Sequence, residues 1–331
     1  MKIIIDAMGG DNAPVEIVKG AALASREFDA ELVLVGHEDR IKSILSECAP
    51  DMTKISVVNA ETVVTMDDEP TAVVRNKKDS SMAVGLKMLR DDGDAFVSAG
   101  NTGALHVGGS LYVRAVRGVE RAAIATVLPF TKPVLFLDSG ANVVALPTYY
   151  QVWALMGSIY MKNVMGVNDV KVGLLNNGTE EHKGTPTVQE AYKLLKEDNR
   201  INFVGNIEAK AVMSSPCDVL VTDGFTGNVM IKTIEGMSKF FLGQLKNVFL
   251  SNAVSKLSYL AVKKPLYRMK SSFDSNDYGG APLLGLNKPV IKAHGSSDAE
   301  EIKNAIRQAI KFAETDVTEI IRASLNSEKQ E

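Results

Sequence analysis

The chain has 331 residues, of which 45 % are hydrophobic and 23 % are charged, and it carries a formal net charge of −3. This composition is typical of a globular protein, and the slight acidity argues against a nucleic-acid-binding protein, which would show a basic footprint. The two cysteines, Cys48 and Cys217, lie far apart, which fits a reducing compartment, and no uncharged apolar stretch is long enough to span a membrane. We therefore expect a cytoplasmic protein.

Short apolar runs alternate with amphipathic segments along the chain, which predicts a mainly parallel sheet with helices on both faces. One helix follows Pro14, with Ile17 and Ala21 on one face, and another follows a capping-box pattern at Ser297 and Glu300. We expect one three-layer α/β/α domain over residues 1–331. The predicted strands are 3–7, 31–36, 55–60, 95–99, 122–128, 134–137, 172–175, 203–205, 219–222 and 290–293.

Within this domain, residues 236–273 form a segment with seven Lys and Arg residues and no Asp or Glu. Apolar residues at helical spacing predict a protruding arm of two helices, the second ended by Pro265. Two interpretations stay open: an arm that packs on a second copy, and a basic hairpin whose tip enters an anionic membrane surface. The same cations could instead receive an acidic protein. The residues expected at such contacts are Lys256, Leu257, Ala261, Lys263 and Lys264.

Six turns rich in glycine and small polar residues follow the predicted strands. Because the carboxyl ends of parallel strands share one edge of a sheet, we expect these turns to meet at a ligand site. Glycine allows close backbone approach, and free N–H groups favour an anion, so phosphate is the leading candidate. An ordinary structural role explains any single turn equally well. The turns are 6–11, 98–103, 138–142, 176–180, 222–228 and 293–297.

Several catalytic and nucleotide-binding motifs are missing from the sequence. It contains no G-x-G-x-x-G, no phosphate loop ending in Gly-Lys-Ser/Thr and no G-x-S-x-G elbow. The four histidines lie far apart and show no zinc-ligand spacing. We therefore expect no metal site and no nucleotide cofactor.

Basic residues near the turns are candidates for binding an anion. Lys183 lies just beyond a predicted strand, in a glycine-bounded loop where a cation can meet phosphate or a developing oxyanion. His294 is a candidate proton carrier, although a hydrogen-bonded structural histidine fits equally well. Arg75, Lys77 and Lys78 are expected to form a solvated face, with docking of an acidic partner as the alternative.

These motifs resemble the PlsX family, the phosphate acyltransferases of bacterial phospholipid synthesis. The matching segments, in family order and spacing, are 6–11 with 13–14, 98–104, 173–180, 223–229, 278–280 and 290–297. Asn12 and His182 depart from the family pattern, and His182 leaves open whether one or two cations are needed beside Gly184.

The resemblance implies a sandwich fold similar to that of isocitrate and isopropylmalate dehydrogenases, and a homodimer with its active site near the subunit interface. It implies acyl carrier protein and inorganic phosphate as substrates, with no organic cofactor and no required metal. The product would pass to a downstream glycerol 3-phosphate acyltransferase at the inner face of the cell membrane, where transient contact is expected.

The resemblance places catalytic residues at Lys183 and Asn228. We expect Lys183 to balance phosphate and oxyanion charge, Asn228 to donate a hydrogen bond to the oxyanion, and His294 to bind phosphate or protonate the thiolate. The residues expected to bind phosphate or substrate are Gly9, Gly10, Asn101, Thr102, Gly103, Asn142, Asn176, Thr226 and Gly227.

Three other functions are compatible with parts of the sequence. A decarboxylating dehydrogenase on the same fold would need a metal-binding Asp cluster and a nucleotide loop, and neither can be matched. A short-chain acyltransferase between coenzyme A and phosphate would ignore carrier protein. A non-catalytic membrane scaffold would not need Lys183 or Asn228.

Overall fold

The computed structural model describes residues 1–48, 50–271 and 279–326. Eleven of its strands form one sheet in the order β3-β2-β1-β4-β11-β10-β5-β6-β9-β7-β8. The strands are β1 Lys2–Asp6, β2 Glu31–Gly36, β3 Ile55–Asn59, β4 Ala95–Ser98, β5 Ala123–Pro129, β6 Pro133–Leu137, β7 Lys171–Asn176, β8 Asn202–Glu208, β9 Val219–Val221, β10 Ala281–Leu284 and β11 Val290–Lys292. The ten predicted strands are confirmed to within a few residues at each end, whereas β10 was not predicted.

Helices cover both faces of this sheet. They are α1 Val15–Glu27, α2 Glu38–Cys48, α3 Ser81–Asp91, α4 Thr102–Gly108, α5 Pro147–Asn163, α6 Pro186–Glu197, α7 Gly224–Leu250, α8 Ala253–Ser271, α9 Ala299–Glu314 and α10 Val317–Asn326. Shorter helical turns span Pro70–Val74, Gly109–Val113 and Ala209–Ser214.

The alternation of side chains along β1 shows how the two cores form. Ile3 and Ile5 belong to one core cluster with residues of α1, α5 and α9, whereas Ile4 belongs to another with residues of α3 and α4. Successive residues of a strand point to opposite faces, so the continuous apolar run of β1 is buried on both faces of the sheet. The predicted three-layer α/β/α architecture is confirmed.

The directions of the strands correct one expectation. β1, β2, β3, β4 and β11 run parallel to one another, and so do β6, β7, β8 and β9. Between the two groups, β10 is antiparallel to β11 and β5, and β5 is antiparallel to β6. Because these three antiparallel pairs reverse the direction once overall, the two groups run toward each other, and their carboxyl ends meet beside β5. The expectation that all six turns share one edge is wrong.

Two helix boundaries also differ from the prediction. The capping box at the start of α9 joins Asp298 to Glu301, one residue later than expected. The reason is that the Ser297 N–H already donates to the carbonyl of His294 and so belongs to the preceding turn. In the arm, Pro265 lies inside α8, which continues to Ser271.

The helical arm is a direct continuation of the site region, since α7 begins at Gly224 and runs to Leu250 before α8 returns. Large apolar side chains are exposed along it. Phe240 is 56 % exposed, Phe241 63 % and Val254 75 %. None of the helices within the described ranges is long and apolar enough to cross a membrane.

Candidate active site

The turns after β1, β4 and β11 are held together around the buried carboxylate of Asp6. This carboxylate accepts hydrogen bonds from Ser81 Oγ at 2.6 Å and Ser98 Oγ at 2.7 Å. Burial raises the pKa of the Asp6 carboxyl, and these bonds oppose that shift. A Cβ at Gly9 would lie 2.5 Å from Asp6 Oδ2, so only glycine fits there. Gly10 has a φ of +108°, in the left-handed region that favours glycine.

In the turn after β4, the side chain of Asn101 is hydrogen-bonded to the backbone of the protein itself. Asn101 Oδ1 accepts from the N–H of Ala104 as the N-cap of α4. Its Nδ2 lies within hydrogen-bonding distance, 3.1 to 3.2 Å, of three backbone carbonyls of the preceding loop. A Cβ at Gly103 would lie 2.8 Å from Pro70. Of the three residues expected to hold phosphate in this turn, Thr102 lines the cavity described below.

A second buried carboxylate, Asp138, organises the turns after β6 and β9. It accepts from the N–H groups of Gly140 and Asn142, and from Asn142 Nδ2 at 2.8 Å. A Cβ at Gly227 would lie 2.2 Å from the Asp138 carbonyl, so α7 starts in direct contact with this turn. Asn142 therefore has a structural contact in addition to any role in binding.

Turns that follow both groups of parallel strands meet at one cavity of about 440 Å³, which we call the polar cavity. The turns after β1, β4, β6 and β11 contribute to it, and α7 contributes its first three turns. Its floor is formed by residues of β5, the strand that lies between the two groups of parallel strands. The polar residues that line it are Asp11, Thr102, Thr126, Ser139, Asn228, Lys232, Glu235, Lys292 and His294.

Two basic groups in the polar cavity have lowered pKa values. Burial lowers the pKa of Lys292 to about 8, against the attraction of Asp11 and Asp6. Burial, followed by repulsion from Lys232 and Lys292, lowers the pKa of His294. Ser296 N–H donates to His294 Nδ1 at 3.3 Å, which leaves the proton of the neutral ring on Nε2. The neutral form of His294 can therefore donate a hydrogen bond from Nε2.

A larger cavity of about 1220 Å³, which we call the apolar cavity, lies beside the loop between β7 and α6. Val144, Val229 and Met230 are among its apolar lining residues, and the predicted site residues Asn176 and Thr226 also line it. Thr226 Oγ1 lies 2.8 Å from Asp223 Oδ2, in the first turn of α7.

Lys183 belongs to the loop beside the apolar cavity and does not line the polar one. Asn176 Nδ2 donates to the carbonyl of Lys183 at 3.1 Å, and Gly184 follows with a φ of +91°. Asn228 instead faces Gly140, where an added Cβ would lie 3.6 Å from the Asn228 side chain. Asn228 therefore lines the polar cavity, whereas Lys183 lies in the loop beside the apolar cavity.

The remaining predicted contact residues lie away from both cavities. Lys77 pairs with Asp68 at 2.6 Å, which holds the pKa of that carboxyl below its usual value, whereas Arg75 and Lys78 are exposed. Lys256, Lys263 and Lys264 are exposed on α8. The side chains of Leu257 and Ala261 lie outside the described part of the structure.

Lys292 and Lys232 are cavity residues that sequence reasoning did not assign. The available signal was a lysine that ends a run of buried β-branched residues, directly before Ala293 and His294. Across residues 1–48, 50–271 and 279–326, no group of three His, Cys, Asp or Glu side chains could hold a metal ion.

The fold places the chain in a known structural class. A phosphotransacetylase from Streptococcus pyogenes superposes with a TM-score of 0.64 over 95 % of this chain and 94 % of that one, at 19 % identity. A 4-hydroxythreonine-4-phosphate dehydrogenase from Klebsiella pneumoniae gives a TM-score of 0.53 over 95 % and 99 %, at 13 % identity. At such low identity these likenesses define the fold only.

Sequence comparison then defines the family. Residues 1–320 match the family described as fatty acid synthesis protein. A phosphate acyltransferase of Brevibacillus brevis is 47 % identical over 329 residues, 98 % of this chain and 97 % of the relative. One from Acetivibrio thermocellus is 45 % identical over 326 residues, 97 % and 96 % of the two chains. The chain belongs to this family of phosphate acyltransferases, which confirms the resemblance to the PlsX family.

Proposed function

We propose that this chain transfers a long-chain fatty acyl group from the thioester of acyl carrier protein to inorganic phosphate. Membership of the family supports acyl transfer to phosphate. The observation that carries the proposal is the pair of cavities on the two sides of α7. One contains three basic residues, Lys232, Lys292 and His294, which can bind an anion, beside Asp11 and Glu235. The other is mainly apolar, as a fatty acyl chain requires.

The reaction needs no covalent enzyme intermediate. An oxygen of hydrogen phosphate attacks the thioester carbonyl, a carbon–oxygen bond forms, and the carbon–sulfur bond breaks. The proton of hydrogen phosphate passes to the departing thiolate, so the products are an acyl phosphate and the free thiol of the carrier. The protein contributes by holding the two reactants together and by stabilising the tetrahedral oxyanion between them.

The first turn of α7 is well placed for this task because it borders both cavities. Asn228 lines the polar cavity and would donate its amide hydrogen bond to the oxyanion, while Thr226 lines the apolar cavity. Lys183, in the loop beside the apolar cavity, would balance the developing charge from the other side. His294 would donate a hydrogen bond from Nε2 to phosphate. Its lowered pKa means that a smaller fraction of the ring is protonated, so it is a poor source of a proton for the thiolate.

The acyl chain would follow α7 away from the site. The apolar cavity shares Met213 and Ile234 with a second cavity of about 560 Å³. That one shares Leu242 and Leu245 with a third, of about 710 Å³, between α7 and α8. Each methylene buried along this path would contribute about 0.8 kcal/mol, so a long chain is favoured over a short one.

The partners follow from the same arrangement. The exposed lysines of α8 would attract the acidic carrier protein or an anionic membrane surface, from which the acyl phosphate passes to a glycerol 3-phosphate acyltransferase. The exposed apolar residues of α7 would pack against a second copy in a homodimer.

Incubation of the purified protein with long-chain acyl carrier protein and phosphate tests the proposal. We expect an acyl phosphate, detected by mass spectrometry and by conversion to a hydroxamate, in an amount equal to the free thiol released. Acetyl coenzyme A serves as the comparison donor. Acetyl phosphate formation without any reaction of the carrier-bound donor would identify a short-chain enzyme instead.

A further inference from the structure

The polar cavity contains a lysine, Lys292, that is held in an unusual way. It ends β11, and its Nζ donates to the carbonyls of Ala99, at 3.2 Å, and Ala293. No carboxylate forms an ion pair with it anywhere in the described part of the chain. The Lys292 side chain is partly buried, and a cation drawn away from water is costly to keep unless an opposite charge compensates it.

The carboxylates that face Lys292 are already engaged or solvated. Asp6, on β1, accepts from two serine hydroxyls and from backbone N–H groups. Glu235, on α7, forms an ion pair with Lys232 at 2.8 Å. Asp11, in the turn after β1, is exposed to solvent. The remaining charged neighbour, Lys232, repels Lys292, and His294 is the other titratable group in this part of the cavity. The cavity therefore has a basic group without a direct counter-ion.

We propose that Lys292 is the cation that binds the phosphate acceptor in the polar cavity. This inference rests on the proposed function and assigns different roles to Lys292 and Lys183. Lys292 holds phosphate on the side of Asn228 and His294, whereas Lys183 remains with the loop beside the apolar cavity. Phosphate bound at Lys292 is next to the start of α7, where the thioester carbonyl would enter from the apolar cavity.

The affinity for phosphate should depend on pH, because it depends on the charge of Lys292. The pKa of Lys292 is lowered to about 8 by burial, so the cation is present below pH 8 and is lost as the pH rises through that value. Phosphate is mainly the dianion above pH 8, so a weaker affinity there reports on the protein. Bound phosphate shifts the loss to higher pH because it stabilises the charged lysine.

Two variants and a matched control test the inference. Lys292→Met removes the charge, Lys292→Arg keeps it, and Lys288→Met removes another partly buried lysine, whose Nζ donates to the Gly93 carbonyl at 2.8 Å away from the cavity. We expect Lys292→Met to raise the KM for phosphate about 10- to 100-fold, with the KM for the acyl donor unchanged. Lys288→Met should match the wild type, and Lys292→Arg should move the alkaline loss of phosphate affinity to higher pH.

Phosphate binding without turnover provides a second measurement. Inorganic phosphate should raise the melting temperature of the wild type and of Lys288→Met, relative to chloride at equal ionic strength, and should not raise that of Lys292→Met. A wild-type KM for phosphate in Lys292→Met overturns the inference and leaves the acyltransferase function intact. If the wild type makes no acyl phosphate, the proposed function fails, even where phosphate still stabilises the protein through Lys292. Should Lys292→Met not fold, an unchanged pH profile in Lys292→Arg overturns the inference.

Discussion

Asn228 lines the polar cavity and Lys183 lies in the loop beside the apolar cavity, and the proposed reaction gives each a separate contact with the same oxyanion. Asn228→Ala and Lys183→Ala should each lower kcat by about 10²- to 10³-fold, as the loss of one oxyanion donor does. Steady-state kinetics with saturating phosphate measures this. Asn168→Ala and Lys193→Ala, which change exposed residues that line neither cavity, serve as controls. Turnover close to wild type in both site variants would remove the catalytic assignment.

Lys292 also predicts a relation between stability and pH. Its pKa is about 8 in the folded protein and has the ordinary value of 10.5 when the chain is unfolded. Between these values the unfolded state binds more protons, so the free energy of unfolding contributed by this residue rises with pH. Below pH 8 the full cost of the buried charge is present.

Lys292→Met removes that cost, so the variant should be more stable than the wild type at pH 7, and the difference should shrink by pH 10. Urea denaturation without phosphate at the two pH values measures it, with Lys288→Met as the control. A variant whose stability differs from the wild type equally at both pH values would show that packing, and not charge, governs this site.

At the scale of the elements, the start of α9 depends on one side-chain pair. Asp298 accepts from the Glu301 N–H at 2.9 Å, and Glu301 accepts from the Asp298 N–H at 3.3 Å. Asp298→Ala should therefore lower the free energy of unfolding by about 0.5–2 kcal/mol. Glu300→Gln, at an exposed position, should change it by less than about 0.5 kcal/mol. Urea denaturation distinguishes the two, and a larger cost at Glu300 would place the cap one residue earlier.

The arm formed by α7 and α8 carries exposed apolar and basic residues together, which is the pattern of a helix that lies on an anionic membrane. Val254 and Val262 are 75 % and 37 % exposed on α8. The wild type should sediment with phosphatidylglycerol vesicles, less so as salt is added, because each surface cation contributes about 1 kcal/mol of screened attraction. Val254→Glu/Val262→Glu should lose this binding and remain active.

Val204→Glu is the matched control for the vesicle experiment, because Val204 is a 40 % exposed valine on β8, outside the arm. It should sediment as the wild type does. If the wild type stays in solution with anionic vesicles at low salt, or if the arm variant sediments equally well, the arm is not a membrane contact and dimer packing becomes the better interpretation.

At the scale of the whole molecule, the site exists because two groups of parallel strands of opposite direction meet at β5 and β10. Polar side chains and backbone groups from both groups of strands surround the polar cavity. The described residues contain no group of three His, Cys, Asp or Glu side chains that could hold a metal ion. The proposed reaction uses these polar side chains and backbone groups alone, so turnover should survive thorough treatment with EDTA. Loss of activity on chelation that a divalent cation restores would contradict the metal-free mechanism.

Local patterns in the sequence determined much of this protein. The periods of the apolar residues located ten strands and the two helices of the arm, because side-chain alternation and helical spacing are properties of neighbouring residues. The glycine-rich turns indicated the family and made Lys183 a candidate, and the resemblance to the family added Asn228. Their proposed roles came from the chemistry of a thioester and phosphate.

Only the tertiary structure decided how these parts combine. Strand direction depends on partners far apart in the chain, so the reversal at β10 and β5 was invisible to turn-by-turn reasoning. Two overlapping capping patterns could be separated only by the turn that occupies the Ser297 N–H. Lys292 received no role from the sequence, because its lowered pKa arises from burial and from repulsion by Lys232 on α7, against the attraction of Asp11 and Asp6. Burial and long-range charge are sums over the folded chain, and no short segment contains them.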